Sequence, residues 1–140
     1  MNPDLKPVLS TEIAVRWADM DAYNHVNNAM YLRYMEEIRV QFMYKMGFVL
    51  DGKGTGPVII NALSTFLISA EYPDTIRVEF FVDKPGNSSF MSYYRLYSNQ
   101  LDGALVCEGE AKIVWVNYEE NKSVPIPDNI RQLIEQPRPL

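Results

Sequence analysis

Five side chains with acid, base or amide character fall within ten consecutive positions: Asp19, Asp21, His25, Asn27 and Asn28. A carboxylate can attack a carbonyl carbon or deprotonate the water that does so. An imidazole four residues from Asp21 can orient that carboxylate, donate to a substrate or hold water. The two asparagines can cap a helix. A helix start concentrates unpaired N–H groups and positive partial charge. An acid and two amides beside such a start make a place to activate a carbonyl. Read by residue type alone, Asp21 closes its loop as readily as it does chemistry, and Asp19 reads as a loop-ordering residue. An Asp-x-Asp pair also occurs in metal sites. Here no third acid and no nucleotide-binding βαβ pattern accompanies it, so no metal is expected.

The elements around this stretch must hold it in place. Glu12–Trp17 alternates in part with period two and predicts a first strand. From Asn28 to Met46, the residues Tyr31, Tyr34, Met35, Ile38, Phe42 and Met46 recur at three- and four-residue steps. That spacing predicts one long helix with a buried face, ended by Gly47. After the break Gly52–Pro57, strand patterns follow over Val58–Ala70, Ile76–Lys84, Ser89–Ser98 and Ala104–Asn117. Short turns between them predict four antiparallel neighbours in meander order. Asp128 is placed to cap a short helix over Asn129–Glu135. Residues 1–10 and 136–140 carry prolines and read as loose ends around one domain spanning 11–135. An α+β domain results, with a long helix covering one face of an antiparallel sheet of about five strands. The element order fits both a hotdog and a cystatin-like cone.

Composition narrows the function. With 47% hydrophobic and 22% charged residues, the chain is globular and not disordered. Its net charge of −5 argues against a nucleic-acid surface and against anionic membranes. No apolar run is long enough to span a bilayer. The single cysteine, Cys107, excludes an intrachain disulfide, reads as a core residue and suits a reducing, cytoplasmic compartment.

The block Asp19-Met20-Asp21-Ala22, then His25-Val26-Asn27-Asn28, then Tyr31, Tyr34 and Glu36, resembles acyl-CoA thioesterases of the 4-hydroxybenzoyl-CoA thioesterase type. The later strand Leu105–Ala111, followed by Val114–Asn117 and Val124–Pro127, resembles the end of the same domains. The resemblance implies a hotdog fold. It implies hydrolysis of acyl-CoA thioesters to free acid and CoA without a metal, and with no cofactor beyond the CoA of the substrate. It implies homodimers or homotetramers with sites at the subunit interface. It makes Asp21 the catalytic carboxylate and puts the carbonyl-polarising N–H at about Asn28.

His25 joins Asp21 as a catalytic candidate. Asn27, Asn28, Tyr31, Ser88, Ser89 and Phe90 are the candidate substrate-binding residues; the two serines either hydrogen-bond the pantetheine arm or simply make the turn, and the turn is the plainer reading. Phe42, Met43, Met46, Phe66 and Phe90 are available for an apolar acyl pocket. Two other functions compete with hydrolysis. One is a non-catalytic acyl-ligand-binding module. The other is a hotdog enoyl-CoA hydratase, whose Asp-x-Asn-Pro-x-His pattern Asp21–His25 matches without the proline and one residue short.

Overall fold

The computed structural model describes residues 1–140. The chain runs β1 (Leu9–Ala14), a single 3-10 turn (Trp17–Asp19), α1 (Asn28–Lys45), β2 (Thr55–Phe66), β3 (Thr75–Asp83), β4 (Ser89–Ser98), β5 (Ala104–Asn117), β6 (Lys122–Ser123) and α2 (Asp128–Glu135). All strand pairings are antiparallel. The sheet order is β1-β3-β4-β5-β2, with the two-residue β6 on β5. One long helix lies against this sheet, which is the hotdog arrangement.

The helix forms where its apolar spacing predicts. Tyr31, Tyr34, Met35, Ile38, Phe42 and Met43 are buried, while Arg33, Glu36 and Glu37 between them are exposed. Eighteen residues make a rod about 27 Å long. Side chains alternate across each strand, so Phe80, Tyr94 and Gly109, opposite one another in register, form one row facing the helix. Phe42 packs on Phe80 with ring centroids 4.8 Å apart. Met35 lies over Gly109 so closely that a Cβ there would sit 2.4 Å from the thioether sulfur. One cluster of 27 buried residues runs from Val8 to Ile134. No helix is long and apolar enough to cross a membrane.

The structure corrects several expectations. The first strand is Leu9–Ala14 and not Glu12–Trp17: after one more in-register bond, Val15 N–H to the Asp74 carbonyl (2.9 Å), the chain turns into the 3-10 turn at Trp17. The second strand is Thr55–Phe66 and pairs with β5 alone, so the four later strands are not a meander. Residues 67–74 carry the chain from one edge of the sheet toward the other, which local periodicity does not encode. Asp128 is the first helical residue, with Pro127 at the N-cap. The expected loose ends meet: Leu140 N–H donates to the Val8 carbonyl at 2.8 Å, and Val8 is fully buried.

Substituting Gly109→Ala would force Met35 out of its place on the sheet. A destabilisation of about 1–3 kcal/mol is expected for such overpacking. Urea denaturation would read it as a lower midpoint at an unchanged slope.

Candidate active site

Residues 19–27 fold as a small hairpin. Asp21 N–H donates to the His25 carbonyl and Asn27 N–H to the Asp19 carbonyl, both at 2.9 Å, with Met20 bridged to Val26 between them. The turn requires one left-handed residue. Asn24 takes it at φ +63°, a conformation asparagine tolerates better than most side chains. Val26 N–H donates to the Ala70 carbonyl (2.8 Å), and Ala70 N–H donates to the Tyr31 hydroxyl (3.2 Å). The hairpin, the first turn of α1 and the segment leaving β2 are thereby tied at one point.

The hairpin leads straight into α1. Asn27 is the N-cap, and its side-chain oxygen accepts Ala29 N–H at 2.9 Å. Its carbonyl accepts Met30 N–H at 2.8 Å. These bonds leave the Asn28 N–H as the one free donor among residues 27–30, at the positive end of the helix. Of the two asparagines, Asn27 is the cap and Asn28 is the first helical residue.

Asp21 lines the same cleft as that donor. Its Oδ1 accepts Tyr23 N–H at 2.9 Å, and Oδ2 has no protein partner. Asp21, Tyr23, His25, Val26, Asn27, Asn28 and Tyr31 line one side of an open cleft of about 350 Å³, and Phe66, Leu67, Ile68 and Ser69 line the other. Tyr31 is itself buried, and its ring packs on Phe66 at 5.5 Å. Burial pushes its phenol pKa upward. The cleft thus joins an available carboxylate oxygen, a free N–H and an apolar wall.

His25 faces the cleft but makes no hydrogen bond to Asp21. Its Nε2 lies 3.9 Å from Glu71 Oε1, with both side chains well exposed, a loose pairing of small energetic weight. Ser88, Ser89 and Phe90 are elsewhere. They lie at the start of β4, at the opposite end of the sheet from the hairpin. Ser88 accepts Trp115 N–H through its carbonyl, and Phe90 is a core side chain. Phe42 and Met43 are also core, so of the expected acyl-pocket residues only Phe66 lines the cleft. Leu67, Ile68 and Ser69 were not expected there. Their only signal was that apolar residues continue past the end of a strand.

Asp19 is the buried acid of the region, 1% exposed. Burial alone would raise its carboxyl pKa. Hydrogen bonds from Arg16 N–H, the Tyr34 hydroxyl and the Arg16 guanidinium outweigh that and hold it below the ordinary value. No group of three or more His, Cys, Asp or Glu side chains converges as a metal site would require. A second cleft of about 280 Å³ opens on the helix-free face, where Arg95 sits near Glu108 and Glu110. It includes no helix start, so the Asp21 cleft is the candidate active site.

The sequence profile described as the thioesterase-like superfamily matches residues 15–134. The PA2801 protein of Pseudomonas aeruginosa superposes with a TM-score of 0.87 at 39% identity, covering 91% of this chain and 98% of that one. The long-chain acyl-CoA thioesterase FadM of Escherichia coli is 23% identical over 131 residues, covering 91% of this chain and 98% of its own. Slr0204, a 1,4-dihydroxy-2-naphthoyl-CoA thioesterase from Synechocystis, shares the fold with a TM-score of 0.82 at 17% identity, covering 91% and 96% of the two chains.

The lowered Asp19 pKa has a sign that can be checked. A carboxyl depressed in the folded state stabilises fully above its unfolded value, and the contribution is lost as pH falls through the folded value. Wild type should therefore exceed Asp19→Asn in unfolding free energy at pH 7. The gap should narrow below about pH 4, the unfolded carboxyl range. Urea titrations of both proteins across pH 7 to 2.5 would measure it.

Proposed function

The chain belongs to the thioesterase-like superfamily, and from that membership we propose that it hydrolyses acyl-CoA thioesters to the free acid and CoA. The observation that carries this reading is that Asp21 and the free Asn28 N–H line one cleft. The Asn28 N–H would donate to the thioester oxygen as it gains negative charge. One such donor is typically worth about 3 kcal/mol. The free oxygen of Asp21 attacks the carbonyl carbon, or takes a proton from the water that attacks it. The C–S bond then breaks and the thiolate leaves with the electron pair; where Asp21 itself attacked, water then cleaves the acyl–Asp21 anhydride to give the free acid and restore the carboxylate. A thiolate leaves readily, so no strong acid is needed behind it, and the step draws on no metal or cofactor. His25 is assigned to the cleft wall, where it can hold water. The acyl group rests against Tyr31, Phe66 and Ile68. The single buried cysteine supports a reducing, cytoplasmic setting.

We propose in addition that the working form contains two copies paired through β2. This strand is one of the two edges of the sheet, the other being β1. It exposes Ile60 and Leu63 by more than half and Ile59 and Phe66 by about two-fifths. A long apolar edge left open invites strand pairing, and a two-fold axis closes it. Antiparallel pairing of β2 with itself reverses the second sheet. Its turn at Ser88 and Ser89 would then come to the end of the assembly where the cleft lies, and those residues are assigned to the CoA tail.

Thiol release from short, long, branched and aromatic acyl-CoAs should be detected for the wild type. It should fall by about 10²- to 10⁴-fold in Asp21→Asn, the range for losing a general base. CoA binding without turnover in either protein would make the chain a binding module instead. Asn28→Pro gives a sharper check, because proline at the first helical position deletes only an N–H the helix does not use. Asn27, at φ −60° and ψ 136°, already has the backbone that precedes a proline. A loss of about 10²- to 10³-fold in kcat is expected, with the urea midpoint unmoved. In sedimentation equilibrium, the wild type should run at twice its 16.1 kDa mass, and Leu63→Lys should shift it toward the monomer. A wild-type monomer at assay concentrations would overturn the paired form.

A further inference from the structure

Asp19 takes no part in the reaction proposed above, yet more donors converge on it than on any other side chain near the cleft. Its Oδ2 accepts Arg16 N–H at 3.0 Å and the Tyr34 hydroxyl at 2.7 Å. Its Oδ1 accepts Arg16 Nε at 3.2 Å and Nη2 at 3.0 Å. Its backbone carbonyl accepts the N–H of Asn27, the N-cap of α1. A single buried residue thus touches the chain leaving β1, the second turn of α1 and the first residue of the helix cap.

These contacts bear directly on the two reacting groups. Asn28, whose N–H is free, follows the residue that the Asp19 carbonyl holds. Asp21 lies just beyond the Met20–Val26 bridge, on the same short ladder. The ladder has only two backbone hydrogen bonds of its own, and the Val26–Ala70–Tyr31 bonds tie it to α1 at one point; a second tie is needed to fix its orientation on the helix. Tyr34 projects from the helix and anchors it through the Asp19 carboxylate. We propose that Asp19 is a positioning residue that sets the distance between the Asp21 carboxylate and the Asn28 N–H. The proposal rests on the hydrolase reading.

The negative charge is part of the device. All four groups that meet the carboxylate are donors, and a carboxylate is an acceptor at both oxygens. Asparagine would turn an N–H₂ toward at least one of those donors and lose its bond. Groups that must act together tolerate little displacement, and about 1 Å of misplacement can cost about 100-fold in rate. Tyr34→Phe deletes one donor, leaves the other three and keeps the ring in the core.

The experiment compares wild type, Asp19→Asn and Tyr34→Phe in two measurements. The first is steady-state hydrolysis of the acyl-CoA that wild type turns over fastest. The second is hydrogen exchange of the Asn27 and Asn28 amides by NMR, each protein's folded fraction being checked by circular dichroism. In Asp19→Asn, kcat should fall by about 10- to 100-fold while KM stays within about threefold. Tyr34→Phe should lie between that variant and wild type. Asn27, protected in wild type, should exchange faster in both variants. A residue that merely stabilises the fold would lower the folded fraction and leave kcat per folded molecule unchanged, and that result overturns the proposal. Should Asp19→Asn fail to fold, Tyr34→Phe decides by the same criteria. If wild type hydrolyses no acyl-CoA, the hydrolase reading falls by itself. Unchanged Asn27 exchange in the variants would then overturn the positioning role separately.

Discussion

Helix α1 can lie where it does only because residue 109 has no side chain. Met35 occupies the space that a Cβ on β5 would need, and this close approach sets the depth of the helix on the sheet. The rest follows from that depth. It brings Phe42 onto Phe80, and it sets Tyr34 and Tyr31 at the heights where their hydroxyls meet Asp19 and Ala70. It also decides where the first turn of α1 ends relative to Phe66 on β2, which fixes the width of the cleft. The chemistry at one end of the molecule is thus set by packing near its middle.

The helix start shows how one arrangement can serve folding and function together. Four N–H groups at a helix start need partners from outside the helix. Asn27 supplies two of them, one through its side chain and one through its carbonyl, and the hairpin holds Asn27 itself. What remains is a single donor at the positive end of the helix dipole, facing a cleft. Nothing in this requires an unusual backbone at Asn28. The site is the residue of a capping pattern that satisfies all of the first turn but one group.

Much of this was legible in the sequence, for reasons that differ by element. Helix α1 is announced by apolar residues at three- and four-residue steps, and its start at Asn28 coincides with the observed one. Strands β4 and β5 have the expected bounds because turn residues flank them on both sides. The neighbour of β2 was not legible. Pairing with β5 instead of β3 is decided by where an eight-residue connection travels, and no local pattern records that. The acid half of the site was readable because its residues are contiguous. The apolar half comes from residues 66–69, far away in sequence, and Ser88 and Ser89 show how adjacency in a motif list fails to predict adjacency in one protomer. Of the three roles open to His25, orienting Asp21 is not made by a direct hydrogen bond; its ring lines the cleft with Nε2 3.9 Å from Glu71.

Cys107 sits directly opposite Phe66 in the β2–β5 ladder, so the molecule's only thiol lies one strand behind the apolar wall of the cleft. It is fully buried, and burial pushes its pKa up to about 12. Thiol–disulfide exchange needs a thiolate with access to its partner, and Cys107 offers neither. On the proposed hydrolysis, the cleft releases a thiol, whose oxidised form could cap a reactive cysteine beside it. The burial of Cys107 disfavours that exchange, so its placement separates the chain's own thiol from the thiol that the proposed reaction would release.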